Sequence, residues 1–159
     1  VFPFIRPLGS ASYSTCIDSQ GRLWVGSVGR GWTTGEPIIE VISHDKTKLP
    51  FEMQRIELKP TGFDVHFTLP LAETAVPVDQ VTVRQFHYLY WAEYGSDRQD
   101  NIKLRVNDVT VSEDRKTLSI KVPVVKDNVY EIDLGLLRSA DDVELQNNFG
   151  FYTVNELAQ

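Results

Sequence analysis

Three histidines, one cysteine and 22 acidic residues are what this 159-residue sequence offers for acid–base, nucleophilic or metal chemistry. His66 falls in the run Phe63-Asp64-Val65-His66-Phe67-Thr68. Side chains alternate across a strand, so it shares a polar, solvated face with Asp64 and Thr68. His44 precedes Asp45-Lys46 in a loop and His87 lies in an aromatic strand, so no H-x-x-x-H spacing sets two imidazoles on one surface. A structural zinc site wants four N or S ligands, which scattered histidines and the lone Cys16 do not supply. Asp97, Asp100 and Asn101 form one oxygen-rich loop, and Asp141, Asp142, Glu144, Asn147 and Asn148 another. Such loops hold Ca²⁺ in other settings, and the Asp141, Asp142, Glu144 stretch is the better candidate. Neither follows the D-x-[DN]-x-[DN]-G spacing of an EF-hand, and acidic loops also serve as solvent-facing charge. A glycosidase needs two carboxyls about 5 to 9 Å apart across a cleft, and nothing in the sequence pairs any two. Ser10, Ser12 and Ser14 lack a G-x-S-x-G elbow, and Cys16 reads as a buried, inert thiol in a strand. Gly26, Gly29 and Gly31 open no helix, so no phosphate cradle is expected. No catalytic residue and no cofactor are assigned.

One group has a functional edge. Phe86, Tyr88, Tyr90, Trp91 and Tyr94 crowd a short stretch, and on a strand Phe86, Tyr88 and Tyr90 would share a face at a repeat of about 6.6 to 6.8 Å. That ladder suits stacking of sugar rings, or packing in a core or between domains.

The elements that must position these residues are strands. Tyr13, Thr15 and Ile17, the turn Asp18-Ser19-Gln20-Gly21 and Arg22-Leu23-Trp24-Val25-Gly26 make a β-hairpin, followed by a Gly-rich connection to Pro37. Two strands bury too little to stand alone in water, so this hairpin needs a neighbour. From Phe51 about seven strands follow, with turns at Pro60-Thr61-Gly62, Asn107-Asp108 and Ser112-Lys116. Residues 79–91 read as one long strand, and 102–106 with 109–111 as a hairpin. Only 70–74 and 136–142 offer short helices. The expected fold is an all-β chain: a hairpin and linker over residues 1–48, then an immunoglobulin-like antiparallel β-sandwich over 49–159.

A net charge of −6 (16 Lys and Arg against 22 Asp and Glu) and a pI near 5.0 argue against a nucleic-acid partner, because no positive field is present. No apolar run reaches the roughly 20 residues of a spanning helix and no basic n-region leads into an apolar stretch at the N-terminus, so neither membrane insertion nor an intact signal peptide is expected. With Val1 first and Met53 the single methionine, a fragment or processed chain is expected.

Several of these patterns resemble known ones. The run Gly62-Phe63-Asp64-Val65-His66-Phe67-Thr68-Leu69-Pro70-Leu71, with 79–86 and 109–120, resembles bacterial Ig-like modules. Gly21-Arg22-Leu23-Trp24-Val25-Gly26 and Arg30-Gly31-Trp32 are similar to the last strands of a glucose/sorbosone dehydrogenase-type β-propeller. Together the chain resembles the C-terminal region of large secreted bacterial proteins of that group. The resemblance implies a noncatalytic accessory domain, secreted or periplasmic, with catalysis upstream in the propeller. It implies Trp24, Arg30 and Trp32 as propeller-edge contacts, the upstream propeller as partner, and carbohydrate as a candidate ligand. The alternative is a stand-alone carbohydrate-binding module.

Overall fold

The computed structural model describes residues 1, 8–9, 11–29, 36–43, 45 and 47–159. The chain divides into two compact units, Phe4–Leu49 and Pro50–Gln159 with Val1–Pro3.

The first unit is an antiparallel sheet of strands β1 (Ala11–Ile17), β2 (Leu23–Val28) and β3 (Ile39–Ile42), in that spatial order. The expected hairpin turn is present. The Asp18 N–H bonds to the Arg22 carbonyl at 3.1 Å, the Gly21 N–H to the Asp18 carbonyl at 3.0 Å, and Gly21 takes φ +78°. β3 corrects the sequence reading, which placed only a connection here. It pairs Leu23–Gly26 with Ile42–Ile39 and makes the hairpin a three-stranded meander.

The second unit holds β4 (Met53–Lys59), β5 (Gly62–Phe67), β6 (Thr82–His87), β7 (Gln99–Leu104), β8 (Asp108–Val111), β9 (Thr117–Lys121), β10 (Asn128–Asp133) and β11 (Phe149–Val154). They form two four-stranded antiparallel sheets, ordered β4-β5-β9-β8 and β11-β10-β6-β7. Phe63, Val65 and Phe67 of β5 are buried as their alternation requires, and meet Leu118 and Ile120 of β9 and Val83, Tyr130, Ile132 and Val154 of the other sheet in one core. The Phe63 ring lies 5.2 Å from that of Tyr130 and 5.6 Å from that of Tyr152, so the two inner faces interlock.

Gly62 makes the tight entry to β5. Its φ is +148°, and a Cβ there would sit 1.9 Å from the Ile120 carbonyl oxygen. Tyr130, with no exposure, accepts a hydrogen bond from Val125 N–H at 2.7 Å and donates to Gln85 Oε1 at 3.0 Å. It thereby ties the β9–β10 connection to β6.

Three expectations are corrected. Residues 102–106 and 109–111 do not form a hairpin: β7 pairs with β6 and β8 with β9, so Asn107 marks a crossing between sheets. Residues 70–74 and 136–142 are not helices. Their backbone bonds run between the two loops, Ala72 N–H to Arg138 O and Ala140 N–H to Pro70 O, both 2.8 to 2.9 Å, around a bridge between Leu71 and Ser139. Among the described residues the helical segment is one 3₁₀ turn, Val78–Gln80, and no helix is long and apolar enough to cross a membrane. Finally, the strand expected over 79–91 stops at His87.

Candidate functional site

The aromatic group is split by that early stop. Phe86 is the last large residue of β6, is 1% exposed, and stands outside the central core. Alternation explains this: Val83 and Gln85 face inward, so Phe86 lies on the outer face of its sheet. There the Arg98 guanidinium lies 4.4 Å from its ring centroid and 5.6 Å from that of Phe151, and the Tyr88 ring meets it edge-on at 5.4 Å. Arg98 is fixed by Glu131 at 2.5 Å. That bond, with a smaller contribution from the Tyr88 hydroxyl, raises the Arg98 pKa above the usual guanidinium value. Arg98 escaped the sequence reading because only an isolated cation between Asp97 and Asp100 marks it.

Residues 88–98 are therefore a connection and not a strand, and the expected aromatic ladder does not form. Tyr90 and Tyr94 are fully open to solvent, at 107% and 93%, and Tyr88 and Trp91 are half exposed. None of these four fills the core. The loop is braced from within: Trp91 Nε1–H donates to Gly95 O at 2.6 Å, Leu89 N–H to Ser96 Oγ at 3.0 Å, and the Ser96 hydroxyl to Asp97 O at 2.8 Å. Gly95 turns at φ +85°. The pairing of Val129 with Phe86 and of Asn128 with Val154 sets this loop at the end of the sandwich where β10 begins and β11 ends.

In the three-stranded sheet, Trp24 is held by its own hairpin. Its Nε1–H donates to Asp18 Oδ2 at 2.9 Å, and Arg22 both bonds that oxygen at 2.7 Å and stacks over the indole at 5.4 Å. The Trp24 bond, joined by the Arg22 N–H, holds the Asp18 carboxyl far below the usual carboxylate range. Cys16, expected to be buried, is exposed. It lies opposite Trp24 and shares its face with Val41. Arg30, Trp32, His44 and Ser10 lie outside the described residues.

Two of the three calcium candidates are held by a cation. Arg138 bonds Asp142 through Nε and reaches Glu144 at 3.9 Å, while Asp141 is exposed beside them. Among the described residues no group of three or more His, Cys, Asp or Glu side chains could hold a metal ion.

His66 is on the expected polar face but is not simply solvated, since its side chain is 18% exposed. Nδ1 lies 3.0 Å from Thr117 Oγ1 and Nε2 3.2 Å from Glu57 Oε2. The Nε2–H tautomer satisfies both, accepting from Thr117 and donating to Glu57. A carboxylate–imidazole–hydroxyl row thus runs across β4, β5 and β9. It lies on the outer face of its sheet, with the Arg55 guanidinium 3.4 Å from Nε2. His87 stands apart, 3.7 Å from Asp100.

No family model, curated protein or solved structure matches this chain.

Proposed function

We propose that the chain is a noncatalytic accessory region of a larger secreted protein with a glucose/sorbosone dehydrogenase-like propeller, against which its small sheet docks. The observation that carries this reading is the state of that sheet. Among the described residues its outer strands β1 and β3 each have one ladder partner, and Tyr13, Ile17, Ile39 and Val41 are 83, 73, 74 and 42% exposed. Edges left unpaired by the described residues, together with open apolar side chains, invite a further β element. An immunoglobulin-like identity for the second unit is supported by its strand orders. Lettered A to G in sequence with β7 as C′, they are A-B-E-D and G-F-C-C′, and Tyr130 on the F-equivalent strand bonds back to the preceding connection. The test uses Cys16 on the exposed edge. Its alkylation by iodoacetamide should be rapid in this chain and at least about tenfold slower in the intact parent, where local protection limits access. Equal rates would remove the docking role.

A second reading, carbohydrate binding by the 88–98 loop, rests on Tyr88, Tyr90, Trp91 and Tyr94 being solvent-facing on a braced scaffold. Polysaccharide titration followed by Trp fluorescence should give a response that Tyr88→Ala and Tyr90→Ala abolish. An unresponsive wild type rejects it.

A further inference from the structure

Among the described residues strand β7 is an outer strand, hydrogen-bonded on one side to β6. The register sets Arg84 opposite Lys103 and Val83 opposite Leu104. By alternation Lys103 projects from the same outer face as Arg84, and Arg105, one residue past the end of β7, is exposed and continues the spacing of two. None of these three side chains has a hydrogen bond or ion pair among the described residues; the ion pairs of this sheet are Arg98 with Glu131 and His87 with Asp100. Glu131, directly opposite Arg84, is held by Arg98. Like charges placed directly opposite across two strands are destabilising. In a chain of net charge −6, three uncompensated cations in one row therefore call for a counter-charge from elsewhere.

Beside the row the edge borders an open groove of about 430 Å³ lined by Val78, Val81, Leu104 and Val106, by one acid, Asp79, and by Lys103 and Arg105 of the row itself. Val78 in its wall and Ile102 on β7 are 40 and 50% exposed. We propose that the free edge of β7 receives an extended acidic polypeptide segment. The segment adds as a further strand, sets carboxylates against Arg84, Lys103 and Arg105, and lays its alternate apolar side chains in the groove. Main-chain bonds supply affinity in such strand addition, and the period of two divides charge and apolar contact between the faces. Edge charges ordinarily deter pairing, but a row of one sign deters neutral and basic strands while admitting an acidic one. All residues involved lie in Pro50–Gln159, so the inference stands apart from the docking of the small sheet.

The test is fluorescence anisotropy on the full chain with three labelled peptides: alternating Val-Glu, alternating Val-Lys, and Val-Glu N-methylated at alternate residues. The Val-Glu peptide should bind, and the other two about tenfold more weakly or worse, because one lacks the charges and the other the backbone donors. Lys103→Glu with Arg105→Glu should weaken Val-Glu binding about tenfold. If that variant fails to fold, the N-methyl comparison on the wild type decides alone. Equal binding of the N-methylated peptide, displacement of Val-Glu by polygalacturonate at equal charge, or no binding of Val-Glu would each overturn the proposal.

Discussion

Replacing Tyr130 by Phe removes one oxygen from a fully buried position and leaves the ring in its contact with Phe63, 5.2 Å away. What changes is hydrogen bonding. The Val125 N–H, bonded at 2.7 Å, and Gln85 Oε1, bonded at 3.0 Å, both lose their partner. A donor stranded in a partly buried site costs about 1 to 3 kcal/mol. Taking about 2 kcal/mol and a urea dependence of about 1.5 kcal/mol per molar, the unfolding midpoint falls by about 1.3 M. Urea titration followed by far-ultraviolet circular dichroism measures this directly. Tyr152→Phe, which keeps the ring beside Phe63, is the control and should leave the midpoint nearly unchanged. A fall of less than about 0.3 M for Tyr130→Phe would mean that water serves Val125 and that the hydroxyl is no strut. The same site sets an alkaline limit. Burial raises the Tyr130 pKa above its ordinary 10.0, so its contribution is complete below that value and is lost as pH rises through the folded pKa. Tyr130→Phe should therefore flatten the alkaline limb of the stability profile.

Glu57 gives the opposite sign at low pH. Its bond from Lys59, then that from His66, lowers its pKa below the usual 4.5, so the stability it contributes is present above 4.5 and lost as pH falls through the folded value. Glu57→Gln should be less stable than wild type at neutral pH and indistinguishable below that window; a difference independent of pH in acid titrations would refute the assignment. Gly62→Ala forces a Cβ to 1.9 Å from Ile120 O at φ +148°, and should cost more than about 3 kcal/mol by chemical denaturation. A well-folded Gly62→Ala variant within about 1 kcal/mol of wild type would show that the backbone can give way there.

Strict alternation made much of the second unit legible. Phe63, Val65 and Phe67 announced a one-sided strand, and β11 runs from Phe149 to Val154 as its aromatic and β-branched residues suggest. The failures have physical causes. Residues 79–91 carry strand-forming side chains throughout, yet β6 ends at His87. A register shift against β7 disrupts the ladder there, and the Leu89 and Trp91 donors turn to Ser96 and Gly95. β3 has four residues behind the Gly-rich connection that ends at Pro37, so its pairing to β2 is a tertiary fact that local pattern does not carry. The loops around Leu71 and Ser139 look helical because their residues tolerate helix; each is bonded to the other instead. For the candidate sites, residue type was readable and exposure was not. Tyr90 and Phe86 are both aromatic, four residues apart, and lie at opposite extremes of burial.

Amide hydrogen exchange on the isolated chain tests most directly whether one unit is self-sufficient and the other is built to lean on a neighbour. Amides of β5, β9 and β10 should exchange only through global unfolding, and those paired among β1, β2 and β3 through local opening, on the order of 100-fold faster. Equal, strong protection in both sheets of the isolated chain would contradict that account.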